Sequence, residues 1–189
     1  MILPVVKYGT PVLRAKGTRV EAITPTIKQL IADMFETMHA YKGIGLAAQQ
    51  VGVPVQLTVL DVRAGTDRPS TVELEGKPSD VHKFMPLVLI NPQIQALGEP
   101  VTGPEGCLSF PEIYADITRP DVVDVSALDA EGRELAFRCG GLLARAVQHE
   151  HDHLHGILFI DRMTKKSKEE LRAELELLQA ETKAALKSP

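Results

Sequence analysis

The chain has 189 residues, 44% of them hydrophobic and 24% charged, with a formal net charge of −4. That is the size and balance of one globular domain that buries a core without covalent staples, and the mild negative charge excludes a broad basic nucleic-acid footprint. No apolar run approaches the ~20 residues that cross a bilayer, and two cysteines, Cys107 and Cys139, exclude a disulfide scaffold.

Thr24-Pro25 reads as a helix start, a hydroxyl cap followed by proline in the first turn. Ile27, Leu30, Ile31, Met34 and Met38 then form one apolar stripe, which runs out near Tyr41-Lys42-Gly43. The segment Gly43-Ile44-Gly45-Leu46-Ala47-Ala48-Gln49-Gln50 follows, with two glycines suited to a closely approached backbone. Val55 to Val62 reads as a strand, and residues 63–83 as a surface loop or extended hairpin. Leu87 to Ile94 and Val122 to Leu128 read as further strands, the latter turning through Asp129-Ala130-Glu131-Gly132 into Arg133 to Arg138. Gly140-Gly141 precedes a helix from about Leu142 to His155. Ser167-Lys168-Glu169-Glu170 predicts a capping box opening a last helix, about 167–187, with Leu171, Leu175, Leu178 and Leu186 turned inward. This order predicts a single α+β domain over 1–189. Its mostly antiparallel strands surround a central helix, flanked by an N-terminal and a C-terminal helix.

The histidines are unevenly spread: four of six, His149, His151, His153 and His155, fall within seven residues. His149-Glu150-His151-Asp152-His153 is an H-E-x-x-H, a pattern that arises by chance in about 1–2% of chains of this composition. On a helix, residues four apart share a face, so His149 and His153 can present two nitrogens to one divalent metal. Glu150 lies ~100° around, within reach of the reacting water, while His151 and His155 point elsewhere. Leu142 and Ala146 share the ligand face and extend it into an apolar wall. The pattern H-E-x-x-H-x-x-G-x-x-H fails at its last position, which is Phe159. Glu174 is spaced as a downstream third ligand but sits on a charged helix face. The remaining soft ligand is a thiolate, from Cys107 in Glu105-Gly106-Cys107-Leu108-Ser109 or from Cys139, which reads more simply as a small buried side chain.

Three segments in order resemble the peptide deformylase family. G-x-G-x-A-A-x-Q matches Gly43, Gly45, Ala47, Ala48 and Gln50. E-G-C-L-S matches Glu105 to Ser109. Q-H-E-x-D-H-L-x-G matches Gln148, His149, Glu150, Asp152, His153, Leu154 and Gly156. The resemblance runs from Met1 to about Met163. It implies a metal held by Cys107, His149 and His153 with a water as fourth ligand. The metal is Fe²⁺ by preference, with Ni²⁺, Co²⁺ or Zn²⁺ able to substitute. The implied reaction removes the N-formyl group from the initiator formyl-methionine of new peptides and releases formate. Glu150 would carry the proton, and Gln50 with the backbone N–H of Leu108 would stabilise the oxyanion. The peptide would lie as a strand beside Gly43-Ile44-Gly45, with its methionine against Ile44, Leu142 and Ala146. Arg145 would wall that slot with its stem while its head reaches water. Asp152 would pair with Arg119 and hold the metal helix in place. Tyr114 would touch the peptide beyond methionine.

A metallopeptidase cutting internal bonds is disfavoured by Phe159 and by the cysteine. A noncatalytic metal-binding or ribosome-associated module is disfavoured by the intact Glu150. Lys165, Lys166, Lys168, Arg172, Lys183 and Lys187 on the last helix fit a ribosomal RNA contact, but their balance by five glutamates fits a solvated face better. No specific DNA or membrane partner is expected. The start MILPVVKYGTPVLR lacks the features of a targeting segment, which favours a cytoplasmic protein.

Overall fold

The computed structural model describes residues 1–65 and 67–189; Thr66, part of the loop expected over 63–83, lies outside the described residues. Helix α1 spans Pro25–Ala40, and Thr24 caps it by accepting from the Ile27 N–H. Its stripe buries Ile31, Met34 and Met38 against β1 (Gly45–Ala47) and β2 (Leu57–Leu60). Between these two strands, Ala48–Val51 forms one turn of 3-10 helix that buries Gln49 and Gln50.

The segment over 63–83 is largely a hairpin, β3 (Ser70–Leu74) and β4 (Lys77–Ser79), followed by the short helix α2 (Val81–Phe84). Strands β5 (Leu87–Cys107) and β6 (Phe110–Leu128) are far longer than the sequence pattern predicts. Their middle reads as breakers, with Pro92, Gly98, Pro100, Gly103, Pro104, Pro111 and Pro120. Proline is excluded where a strand is hydrogen-bonded on both sides. Over this stretch β5 pairs only with β6, and Pro100 sits opposite Pro120, so the ladder loses little. The register slips at three places, between Ile90 and Gln93, between Leu97 and Pro100, and between Gly106 and Cys107, so the breakers fall partly at irregularities of the ladder.

Strand β7 (Glu134–Gly141) joins β6, and the seven strands run in the order β1-β2-β5-β6-β7-β3-β4 with antiparallel neighbours. Gly140-Gly141 is its last pair. Gly141, at φ 68° and ψ −138°, turns the chain into helix α3 (Leu142–Leu154), and a Cβ there would lie 2.2 Å from the Pro69 carbonyl oxygen. Every residue of α3 except His151 is buried, and the helix packs against β1, β2, β3, β5, β6 and β7. A second turn of 3-10 helix, Phe159–Arg162, leads to helix α4 (Lys165–Lys187).

Two expectations for α4 need correction. The helix starts earlier than the Ser167 box: Thr164 is the cap, and its hydroxyl accepts from the Ser167 N–H at 3.2 Å. Ser167 is already inside the first turn. Leu171, Leu175 and Leu178 pack on the apolar cluster that contains Leu158, Phe159 and Ile160, but Leu186 is exposed. Among the described residues no helix is long and apolar enough to cross a membrane. Thr164→Ala should therefore cost about 1 kcal/mol in urea unfolding, and Ser167→Ala about half of that or less. Equal losses would restore Ser167 as the cap.

Candidate metal centre and its cleft

Histidines 149 and 153 project from one face of α3, with ring centroids 5.1 Å apart. The end of β5 brings Cys107 to them, its Sγ 3.4 Å from His153 Nε2. One donor atom from each of Cys107, His149 and His153 lies within 4.8 Å of the others, the convergence that a single ion requires. The thiolate and two imidazoles suit a divalent transition metal. Burial and nearby cationic groups hold His153 well below the usual histidine range, whereas hydrogen bonding to Cys107 and Glu105 outweighs burial and holds His149 well above it. The donor set thus fits a metal. Cys139 lies apart in the core between β7 and α3, and burial pushes its thiol up to about 12.

A buried charge network holds this donor set. Glu105 is two residues before Cys107 on β5, hence on the same strand face. Its Oε1 lies 2.8 Å from His149 Nδ1, which turns His149 Nε2 toward the other donors. The same carboxylate receives two hydrogen bonds from Arg119, at 2.6 and 2.9 Å, and one from Arg145 at 2.8 Å. Burial opposes its ionisation, but His149 and Arg119 outweigh burial and hold Glu105 well below the usual carboxylate range. Arg119 also donates to Asp152 at 3.0 Å, and Asp152 is gripped from its other side by Arg162. The expected Asp152–Arg119 pair is present, and it is a buried pair that ties α3 to β6.

Glu150 faces the cleft, and desolvation pushes its carboxyl up to about 7. Its Oε2 is buried without a hydrogen-bond partner among the described residues. Gly45 makes room for it, since a Cβ at Gly45 would lie 2.7 Å from Glu150 Oε1. The glycines also face the protein's own side chains: an added Cβ at Gly43 would lie 3.0 Å from Leu108 Cδ1. Gln50 has a fixed orientation. Its carbonyl accepts from the Ala47 N–H at 2.9 Å, so its NH₂ points to Cys107 Sγ and Ser109 Oγ.

The cleft above this floor has a volume of about 750 Å³ and is lined by Gly43, Ile44, Leu108, Leu142 and Ala146, among others. Tyr114 stands exposed on its rim. One wall differs from expectation: the head of Arg145 does not reach water. It turns inward because Glu105 and the carbonyls of Ile117 and Val101, both at 2.8 Å, offer acceptors inside. His151 and His155 lie against each other with tilted rings 4.4 Å apart, at the end of α3 and apart from the donor set. Gln148 donates to the carbonyls of Pro120 and Ala144. Phe159 is buried against the His149 ring and Phe110. Neither Glu105 nor Ser109 is marked as a site residue by its type alone. The period-two placement of Glu105 beside Cys107 was the available signal.

A thiol and two imidazoles beside a buried carboxylate, at the floor of a cleft on an α+β fold, define the class of metal-site hydrolases. The polypeptide deformylase family matches residues 2–169, and the chain belongs to this family. It is 46% identical to the peptide deformylase of Methylacidiphilum infernorum over 93% of this chain and 92% of that one. It is 44% identical to that of Opitutus terrae over 99% and 98%. Among solved structures, it is similar to Arabidopsis thaliana peptide deformylase 1B, with a TM-score of 0.83 and 38% identity over 99% of this chain and 96% of that one. A Plasmodium falciparum peptide deformylase gives 0.82 at 33% identity, covering 98% and 99%.

Two measurements check this chemistry. With metal stripped by a chelator, iodoacetamide should alkylate Cys107, while Cys139 should react at least ~100-fold more slowly until the protein is unfolded. Comparable rates would contradict the buried placement of Cys139. Asp61, whose N–H holds the Ile44 carbonyl at 2.8 Å, is kept down to about 2, chiefly by Arg63. Because the folded value lies below the ordinary ~3.9, its stabilisation is full above about pH 5 and disappears as pH falls through 4 toward 2. Asp61→Asn should cost about 1 kcal/mol at pH 7, a value discounted for the partly exposed Arg63, and almost nothing at pH 2. A loss independent of pH would contradict the pairing.

Proposed function

We propose that this chain is a metal-dependent deformylase. It removes the N-formyl group from the initiator formyl-methionine of newly made peptides and releases formate, and residues 1–189 act as a single catalytic domain with α3 as its central helix. The observation that carries this reading is the unpartnered Glu150 carboxylate beside the converging Cys107, His149 and His153 donors. Those three residues would hold one Fe²⁺, for which Ni²⁺, Co²⁺ or Zn²⁺ can substitute. The ion supplies Lewis acidity and a nucleophile at neutral pH when bound.

The protein's own groups do the rest. Glu150, raised toward neutrality by burial, takes a proton from the attacking water and delivers it to the leaving amine. Gln50, its NH₂ aimed by the Ala47 bond, and the backbone N–H of Leu108 donate to the oxyanion that develops on the formyl oxygen. Peptide binding uses the outer edge of β1. Asp61 holds the Ile44 carbonyl, so Ile44 faces β2, and alternation along an antiparallel ladder turns the Gly45 N–H and C=O to the open edge. A peptide pairing there is recognised through its backbone, which tolerates any residue after methionine. Ile44, Leu142 and Ala146 receive the methionine side chain, and Tyr114 on the rim contacts residues beyond it. The solvated reading of α4 stands ahead of a ribosomal contact, because its lysines and arginines are interleaved with glutamates. No DNA or membrane partner is part of the proposal, and its place is the cytoplasm, where new peptides arise.

Anaerobically prepared, Fe²⁺-loaded protein should release formate from formyl-Met-Ala-Ser; no release would remove this reading. Glu150→Gln should retain the metal but lose turnover by roughly 10²–10⁴-fold. Cys107→Ala should lower metal content, and Cys139→Ala should leave it unchanged.

A further inference from the structure

The slot assigned to methionine is not apolar throughout. Leu142, Arg145, Ala146 and His149 lie on one face of α3 and line the same cleft. The chain before β3 packs directly on that wall, since a Cβ at Gly65 would lie 2.5 Å from Leu142 Cδ2. Three residues on, Arg68 reaches into the cleft. Its Nη1 donates to the Pro104 carbonyl at 3.0 Å, and among the described residues no carboxylate pairs with it. Next to Pro104, Gly103 leaves a gap between two guanidiniums: a Cβ there would lie 3.3 Å from Arg68 Nη2 and 3.5 Å from Arg145 Cζ and Nη2.

The two arginines differ in what they have left to offer. Arg145 is already bonded to Glu105 and two carbonyls. Glu105 in turn divides one negative charge among Arg145, Arg119 and His149. Arg68 therefore brings a guanidinium with no paired carboxylate among the described residues, and spare N–H donors, to the cleft that Ile44, Leu142 and Ala146 also line. A thioether gains little from such a donor, because its sulfur is a weak acceptor. A sulfoxide carries a strong acceptor oxygen on the same sulfur, and oxidation of methionine places it there.

We propose that this slot admits an oxidised first residue: the protein deformylates peptides that begin with N-formyl-methionine sulfoxide, and Arg68 is the specificity residue that donates to the sulfoxide oxygen. The inference rests on the deformylase reading. The reaction is unchanged hydrolysis. Water adds across the formyl C–N bond, formate takes the oxygen, the amine takes the proton, and the sulfoxide leaves as it entered.

The test measures kcat/KM of the Fe²⁺-loaded protein on formyl-Met-Ala-Ser, its sulfoxide form and its norleucine analogue, in wild type, Arg68→Leu and Arg68→Lys. Wild type should use the sulfoxide within about tenfold of the thioether. Arg68→Leu should lower the sulfoxide-to-thioether ratio about tenfold, the scale of one charge-assisted hydrogen bond, and Arg68→Lys should fall between. The norleucine-to-methionine ratio should move less than about twofold in both variants, because norleucine has no acceptor; this control separates the donor role from general damage to the slot. A sulfoxide ratio in wild type below about one hundredth, or one that Arg68→Leu leaves unmoved, would overturn the inference while the deformylase reading stands. Absence of turnover on formyl-Met-Ala-Ser itself would remove both.

Discussion

The buried carboxylate of Glu105 is the contact on which the rest of the site depends. Taking one charge out of water costs several kcal/mol unless partners answer it. Here β6 supplies Arg119, and α3 supplies Arg145 and His149. One side chain of β5 therefore fixes the separation of ribbon and helix and also the orientation of the first imidazole. The same strand carries Cys107 two residues further on, so the thiolate is placed by the strand that orients the histidine. Asp152 repeats the device from the helix side, joined to Arg119 and Arg162. Charged groups are a costly cement, but they hold one arrangement, and a metal centre needs fixed donors more than it needs maximal stability.

The glycines belong to the same logic of close approach. Gly45 lets the Glu150 carboxylate lie against the edge strand, beside the backbone that the peptide is proposed to pair with. Gly141 lets the chain leave β7 and enter α3 under the Pro69 carbonyl. Without that turn the helix would not start where its histidines meet Cys107. Packing serves the site too: Phe159, where another metal-site pattern has its third histidine, fills the space behind the His149 ring and backs it against Phe110.

Much of this was legible before the structure. The α1 stripe, the α3 span and the pairing of His149 with His153 follow from helical period, which is local and strong. The hairpin of β5 and β6 was only half legible, because its prolines and glycines look like breaks. They are tolerated because that stretch of β5 has one neighbour instead of two, a fact of sheet topology. The cap of α4 is ambiguous in the sequence because Thr164 and Ser167 are both good capping residues, and the path out of the 3-10 turn at Phe159–Arg162 decides between them. Arg145 departs from expectation because an arginine beside an apolar slot ordinarily seeks water. Only the arrival of Glu105, forty residues away, gives it a reason to turn inward.

By itself the sequence determined the chemistry: two imidazoles and a carboxylate on one helix face, and a cysteine in a short glycine-flanked segment. Such patterns depend on residue type and spacing alone. The tertiary structure decided which thiol joins the imidazoles, what each glycine makes room for and where each arginine spends its charge. Those are long-range choices, settled by which buried groups need a partner and which strand passes close enough to provide it.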